Sequence, residues 1–204
     1  MLNFAVFVSG NGSNLQAIID AVARKEIAAN LKLVVCDREE AYALKRARQA
    51  GINTIFVNPK IFSSRQSFDR QVLIHLTEEK IDFIILAGYM RLLSPFFVKK
   101  YSRKILNIHP SLLPSFRGAH GIKDAFTYGA KETGVTIHFV DDKMDHGPII
   151  MQEAVKISEK DTLETLEPKI HKIEHRLYPK AIQLFVEGRL KVQGRRVEIL
   201  EKAP

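Results

Sequence analysis

Four short apolar runs, at residues 3–8, 31–36, 54–57 and 83–86, alternate with segments whose apolar residues recur at helical spacing. No other feature limits the possible fold as much. In residues 14–25, Leu15, Ile18, Ile19 and Val22 line one face of a helix. Residues 41–50 and 65–80 give two more helices, the first stopped by Gly51. Each helix carries the chain back across the sheet, so successive strands lie parallel and the crossovers are right-handed. The expected class is α/β, a doubly wound sheet with helices on both faces.

Residues 87–93 form a loop that is unusually apolar, and Ser94 then caps a helix with Pro95 at its first position. Residues 105–108 read as a buried strand, which Pro110 and Pro114 force the chain to leave. A loop over 115–121 carries Arg117 and His120, and a helix over 122–128 stops at Gly129. Residues 134–140 alternate, with Val135, Ile137 and Phe139 on one face and Thr136 and His138 on the other, the pattern of a half-solvated strand. After a loop over 141–147, residues 148–157 return as a strand antiparallel to it. A helical region over 162–187 is interrupted by Pro168 and Pro179, and residues 189–193 and 195–200 make a small C-terminal hairpin turning at Gly194. The sheet is therefore expected to be seven-stranded and mostly parallel, with an antiparallel strand and the hairpin as additions. At 204 residues one core can still enclose the chain, so a single domain over 1–204 is expected, without repeats or long linkers.

The balance of 31 Lys and Arg against 23 Asp and Glu leaves a net charge of +8, which favours anionic partners. The basic residues are scattered, with only short pairs such as Lys99-Lys100 and Arg195-Arg196, so a small anionic substrate fits better than nucleic acid. The single cysteine, Cys36, excludes an internal disulfide and reads as a buried thiol. No stretch is long enough to span a membrane, and residues 1–8 lack the basic lead of a signal peptide, so a cytoplasmic enzyme is expected.

Residues 9–14, Ser-Gly-Asn-Gly-Ser-Asn, follow the first strand and open the first helix, where free backbone N–H groups and the helix dipole favour an anion. Gly10-x-Gly12, with Asp37 near the end of the second strand, invites a dinucleotide reading. Leu15 stands where the third glycine would be, and Ser13 and Asn14 add side-chain donors that suit a single phosphate. A purely structural turn is the bland alternative. Asn107 and His109 lie two apart on the central strand and so point to the same side, at the sheet edge where open α/β folds bind ligands. An amide donor and an imidazole there suit charge stabilisation and proton transfer; a satisfied His and a turn Asn are the alternative. Asp141, Asp142 and Asp145 put three carboxylates in five residues. They form a solvated acidic loop, unless Asp145, beside Met144 and just before an apolar strand, turns inward to orient and charge His109. His171-Lys-Ile-Glu174-His175 matches an inverted zinc-protease pattern. No third ligand follows on a later helix. The polar face of a partly exposed helix, or a contact from His171 and Glu174 to a polar substrate group, fits better, and no metal is expected. His75 and His146 read as solvent-facing, and His138 as a strand-face residue.

Taken together, these stretches resemble the phosphoribosylglycinamide formyltransferases, within the folate-dependent formyltransferases, from Phe4 to about Leu190. The resemblance rests on Ser9-Gly-Asn-Gly-Ser-Asn-Leu-Gln16, Leu86-Ala-Gly-Tyr-Met-Arg-Leu-Leu93, Asn107-Ile-His-Pro-Ser-Leu-Leu-Pro114, the segment 134–148, and Glu174-His-x-x-Tyr-Pro179. It implies a Rossmann-like formyltransferase fold, with a phosphate-binding half over 1–100 and a catalytic and folate-binding half over 101–204. It also implies transfer of a formyl group from 10-formyltetrahydrofolate, as co-substrate, to the amine of phosphoribosylglycinamide in purine synthesis. Carried over residue by residue, the catalytic trio falls on Asn107, His109 and Asp145. The ribonucleotide site falls on Gly12, Ser13 and Asn14, with His171 and Glu174. The folate pocket falls on Arg65, Met90, Arg91, Leu92, Leu93, Asp141, Asp142 and Asp145, with Asn107 bordering it. The implied partners are these small molecules, with no nucleic acid and no membrane, in a monomer or weak homodimer. The sequence departs from the family pattern at Ser115-Phe-Arg-Gly-Ala, at His171, and at His146, which stands where a Gly is expected. Two enzyme rivals are expected to carry more chain: a formyltetrahydrofolate hydrolase a regulatory domain before this one, and a transfer-RNA formyltransferase an RNA-binding domain after it. A non-catalytic nucleotide- or folate-binding module is the rival from another class.

Overall fold

The computed structural model describes residues 1–202. Its first half alternates as expected: β1 (Asn3–Val8), α1 (Ser13–Ala23), β2 (Asn30–Cys36), α2 (Tyr42–Gln49), β3 (Asn53–Phe56), α3 (Arg65–Glu78), β4 (Phe83–Leu86), α4 (Pro95–Lys100) and β5 (Ile105–His109). A short 3-10 turn, Pro59–Ile61, interrupts the loop before α3. The second half adds α5 (Gly121–Tyr128), β6 (Glu132–Phe139), β7 (Ile149–Lys156), α6 (Leu163–Val186), β8 (Leu190–Gln193) and β9 (Arg196–Ile199). All the strands join one nine-stranded sheet in the order β3-β2-β1-β4-β5-β6-β7-β9-β8. The first five run parallel and β6 and β7 are antiparallel neighbours, so the seven expected strands are present. The hairpin is no appendage. It extends the same sheet through one residue pair, Ile149 with Arg196.

Period-two alternation along buried strands divides the apolar residues between two cores. Phe4, Val6 and Val8 face the side covered by α1, α2 and α6, while Ala5 and Phe7 face α3 and α4. The strand order reverses at β1, which pairs with both β2 and β4. The turn after β1 and the loop after β4 therefore emerge side by side at a topological switch point, where open sheets of this kind bind ligands.

Two expectations need correction. β6 is not half-solvated: beyond Glu132 every residue is buried. The chain leaving β5 folds over its polar face, and Thr136 donates to Ser111 O at 2.6 Å while accepting from Leu113 N at 3.0 Å. Nor do Pro168 and Pro179 interrupt the last helix, since α6 runs unbroken for 24 residues. An interior proline costs about 3 kcal/mol. Burial of Leu166, Ile170, Leu177, Tyr178, Ala181 and Ile182 on the same helix outweighs it. Tyr178 also pins α6 to the sheet, its hydroxyl lying 2.8 Å from Leu86 O and 3.0 Å from Leu106 O.

Gly147 is the tightest point in the loop before β7, because a Cβ there would lie 1.8 Å from Phe139 O. Gly147→Ala is expected to destabilise the fold by about 1–3 kcal/mol or more through overpacking. A urea midpoint unchanged from wild type would contradict this. Among the described residues, no helix is long and apolar enough to cross a membrane.

Candidate active site

A cleft of about 750 Å³ opens at the carboxyl ends of β1, β4 and β5. That volume suits a small-molecule site, and polar groups from both halves of the chain converge on it. Its walls include the 10–14 turn, the 86–93 loop, Asn107 and His109, the 140–145 loop, and His171 and Glu174 from α6.

The 10–14 turn owes its shape to packing against α2. Gly12 has φ +77, and a Cβ there would meet the Cβ of Ala43 at 2.7 Å. Ala43 N donates to Gly10 O at 3.1 Å, and Arg46 donates to both the backbone and the side-chain oxygen of Asn11 at 3.0 Å. α1 starts at Ser13, so its free N–H groups face the cleft. Asn14 and His171, from opposite ends of the chain, meet on Glu174: Asn14 Nδ2 donates to Oε2 at 3.0 Å, and His171 Nδ1 to the same oxygen at 2.8 Å. Glu174 is buried, and its hydrogen bond raises the His171 pKa above the usual range. Asn14 Oδ1 is buried with no partner in the protein. Asp37, just after β2, does not line the cleft, and the carboxylate that stands beside the turn is Glu174 from α6. His175 lies outside the cleft as well, its ring parallel to that of His171. Among the described residues, no group of three or more His, Cys, Asp or Glu is placed to hold a metal.

Asn107, His109 and Asp145 come together at the end of β5. His109 is buried, and its Nε2 lies 2.8 Å from Phe116 O, so that nitrogen donates. Its Nδ1 stands 3.5 Å from Asp145 Oδ2. Each ring nitrogen thus faces an oxygen, Phe116 O within hydrogen-bond distance and Asp145 Oδ2 at the far limit of it. Asp145 does turn inward. It adopts φ +47, and its Oδ2 accepts from Gly118 N at 2.8 Å. Its Oδ1 lies 3.5 Å from Asn107 Nδ2.

Sequence reasoning missed His138 as a member of this group. It is buried opposite Asn107 in the β5–β6 ladder. Its Nδ1 is 2.8 Å from Phe139 O, and a carbonyl can only accept, so the hydrogen sits on Nδ1. Nε2 is then a lone pair, and it accepts from Asn107 Nδ2 at 3.1 Å. The Asn107 amide is thereby locked in one orientation, because flipping it would set oxygen against lone pair. Burial lowers the His138 pKa, which keeps the ring neutral and the acceptor in place. Acid below that lowered pKa turns the acceptor into a donor. An acid limb in turnover is therefore expected, and it should vanish in His138→Gln, whose amide oxygen still accepts. A limb unchanged in that variant would refute the assignment.

The 86–93 loop forms the other wall. Met90 N donates to Ser9 Oγ at 2.9 Å, tying this loop to the end of β1. Met90 and Leu92 present exposed side chains, while Arg91 lies 4.5 Å from the Phe68 ring. Leu93 and Arg65, at the start of α3, complete that side. Asp141 and Asp142 line the rim, and Arg117 and His120 do not. His146 and His75, both expected to face solvent, are each only partly exposed. His146 Nδ1 lies 2.7 Å from Asp141 Oδ2. His75 lies 3.4 Å from Glu78.

A sequence model of the formyl transferase family matches residues 2–182. A Bacillus subtilis protein named phosphoribosylglycinamide formyltransferase is 44% identical over 183 residues, covering 90% of this chain and 94% of that one. An Escherichia coli protein of the same name is 42% identical over 191 residues, covering 94% and 90%. The crystal structure of glycinamide ribonucleotide transformylase 1 from Symbiobacterium toebii superposes with a TM-score of 0.96 at 45% identity, covering 98% of this chain and 95% of that one.

Proposed function

The chain belongs to the formyl transferase family, and from that footing we propose that its cleft moves a formyl group from 10-formyltetrahydrofolate to the amine of phosphoribosylglycinamide in purine biosynthesis. The observation that carries the residue assignment is the meeting of Asn107, His109 and Asp145 between a phosphate-type turn and an apolar loop in one cleft.

We assign the ribonucleotide phosphate to the N–H groups of Gly12, Ser13 and Asn14, and the ribose to the corner made by Asn14, His171 and Glu174. The flat pteridine lies along Met90 to Leu93, whose backbone groups read its edge. Arg65 pairs with the glutamate carboxylate of the folate tail. Asp141 and Asp142 border the same pocket. Holding both substrates this way brings amine and formyl carbon together, and such positioning contributes roughly 7–11 kcal/mol. The amine attacks the formyl carbon and an oxyanion develops, which Asn107 Nδ2 and the His109 imidazolium stabilise. Asp145 keeps His109 charged and helps pass the amine proton to the departing folate nitrogen. The oxyanion then collapses, the bond from the formyl carbon to the folate nitrogen breaks, and tetrahydrofolate leaves.

The test is formyl transfer with purified protein and 10-formyltetrahydrofolate, with and without phosphoribosylglycinamide, following folate absorbance. Turnover that requires the nucleotide supports the proposal. Turnover without it identifies a hydrolase, and folate binding with no turnover identifies a binding module.

A further inference from the structure

The C-terminal hairpin has no part in the reaction described above, and its ladder to the rest of the sheet is a single residue pair. Leu190, Val192 and Val197 pack its strands on the core, and at its turn Arg195 adds a polar tether. This side chain crosses to the loop before β7, where Nη2 donates to His146 O at 2.6 Å. Its Nη1 lies 3.3 Å from each ring nitrogen of His146, so the guanidinium packs against the ring. The ring in turn reaches Asp141 Oδ2 at 2.7 Å. Asp141 Oδ1 accepts from Lys143 N at 3.1 Å, which leaves both carboxylate oxygens fixed at the cleft rim.

We propose that Arg195 and His146 are positioning residues for the folate side of the cleft, latching the 141–145 loop so that its backbone and Asp141 stand ready for the pteridine-bearing substrate. This rests on the functional reading above. The latch ends on Asp141 at the folate wall, whereas Asp145 has its own tether from Gly118 N and the ribonucleotide corner is built from α1 and α6. The imidazole of His146 supplies a link between hairpin and rim that a residue without a side chain could not. A fixed rim lowers the ordering cost of binding.

Arg195→Ala and His146→Ala are each expected to raise KM for 10-formyltetrahydrofolate about three- to tenfold, the scale of losing a charge-assisted contact at a partly exposed site. KM for phosphoribosylglycinamide and kcat should stay within about twofold, and Arg195→Lys should fall between wild type and Arg195→Ala. Lys191→Ala, which removes an exposed pair with Glu198 on the same hairpin, controls for hairpin stability and should change neither KM. Calorimetry with tetrahydrofolate as the probe gives a second readout, with weaker binding to Arg195→Ala at an unchanged melting temperature. Equal shifts in both KM values, or none, in an active protein would overturn the latch and leave the transferase standing. A wild-type protein that neither transfers formyl nor binds tetrahydrofolate would overturn both.

Discussion

Asn107→Ala is expected to lower kcat about 10²–10³-fold, the usual loss when one oxyanion donor is removed. The geometry explains why a single amide carries so much. One Nδ2 hydrogen is committed to His138 Nε2 at 3.1 Å, which fixes the amide plane. The other points toward Asp145 Oδ1 at 3.5 Å, a contact too long to be a strong hydrogen bond. That second hydrogen is free to shorten onto a developing negative charge. Donors set in advance, in a site shielded from water, need no reorganisation as the reaction proceeds, whereas water does. Binding should change less than turnover, because the ground-state carbonyl carries little of the charge that Asn107 meets. KM values within a few-fold of wild type, with a kcat loss of the stated size, are the expected pattern. Retention of near-full kcat would remove Asn107 from the chemistry. A melting temperature that drops sharply would instead mark it as a structural link to His138.

Reading the sequence alone reaches some parts of this molecule and not others, for physical reasons. β1 and β4 are legible residue by residue because they are buried on both faces and bounded by turns, so apolar run and strand coincide. Asn107 and His109 are legible as a pair because a strand's period of two places them on one side whatever the rest of the chain does. Thr136 and His138 show the limit. Alternation tells which residues share a face, but not whether water or polypeptide covers it. Here the segment after β5 does, and it turns an expected wet strand face into a buried one whose His138 lines the cleft. His138 becomes meaningful only through its register opposite Asn107, which is a fact of strand pairing and not of local sequence. The same holds for α6. Proline signals a local cost, and tertiary burial spread over the whole helix outweighs it. Arg195 and His146 are 49 positions apart, and only the sheet edge brings them together.

Asp145→Asn should be as damaging as Asn107→Ala while leaving the fold nearly intact, with kcat falling about 10²–10⁴-fold, the range of general acid–base catalysis. The two side chains have almost the same shape, so the φ +47 turn at 145 and the bond from Gly118 N can persist with a carboxamide oxygen in place of Oδ2. What disappears is the negative charge 3.5 Å from His109 Nδ1. Without it a positive ring loses the counter-charge that favours it, and an uncharged ring can give only one of its nitrogens a hydrogen. That hydrogen is already claimed by Phe116 O, so His109 would face the cleft without the charge that the oxyanion needs. The carboxamide also turns its own N–H groups toward Asn107 Nδ2, placing donor against donor where the wild type has donor and acceptor. Both losses act on the transition state, so kcat and kcat/KM should fall together while the melting temperature moves by only a few degrees. Should Asp145→Asn keep wild-type kcat, the proton would have to travel by a route that avoids this carboxylate. If instead the melting temperature collapsed along with activity, Asp145 would be holding the 141–145 loop to Gly118 before it did anything for His109.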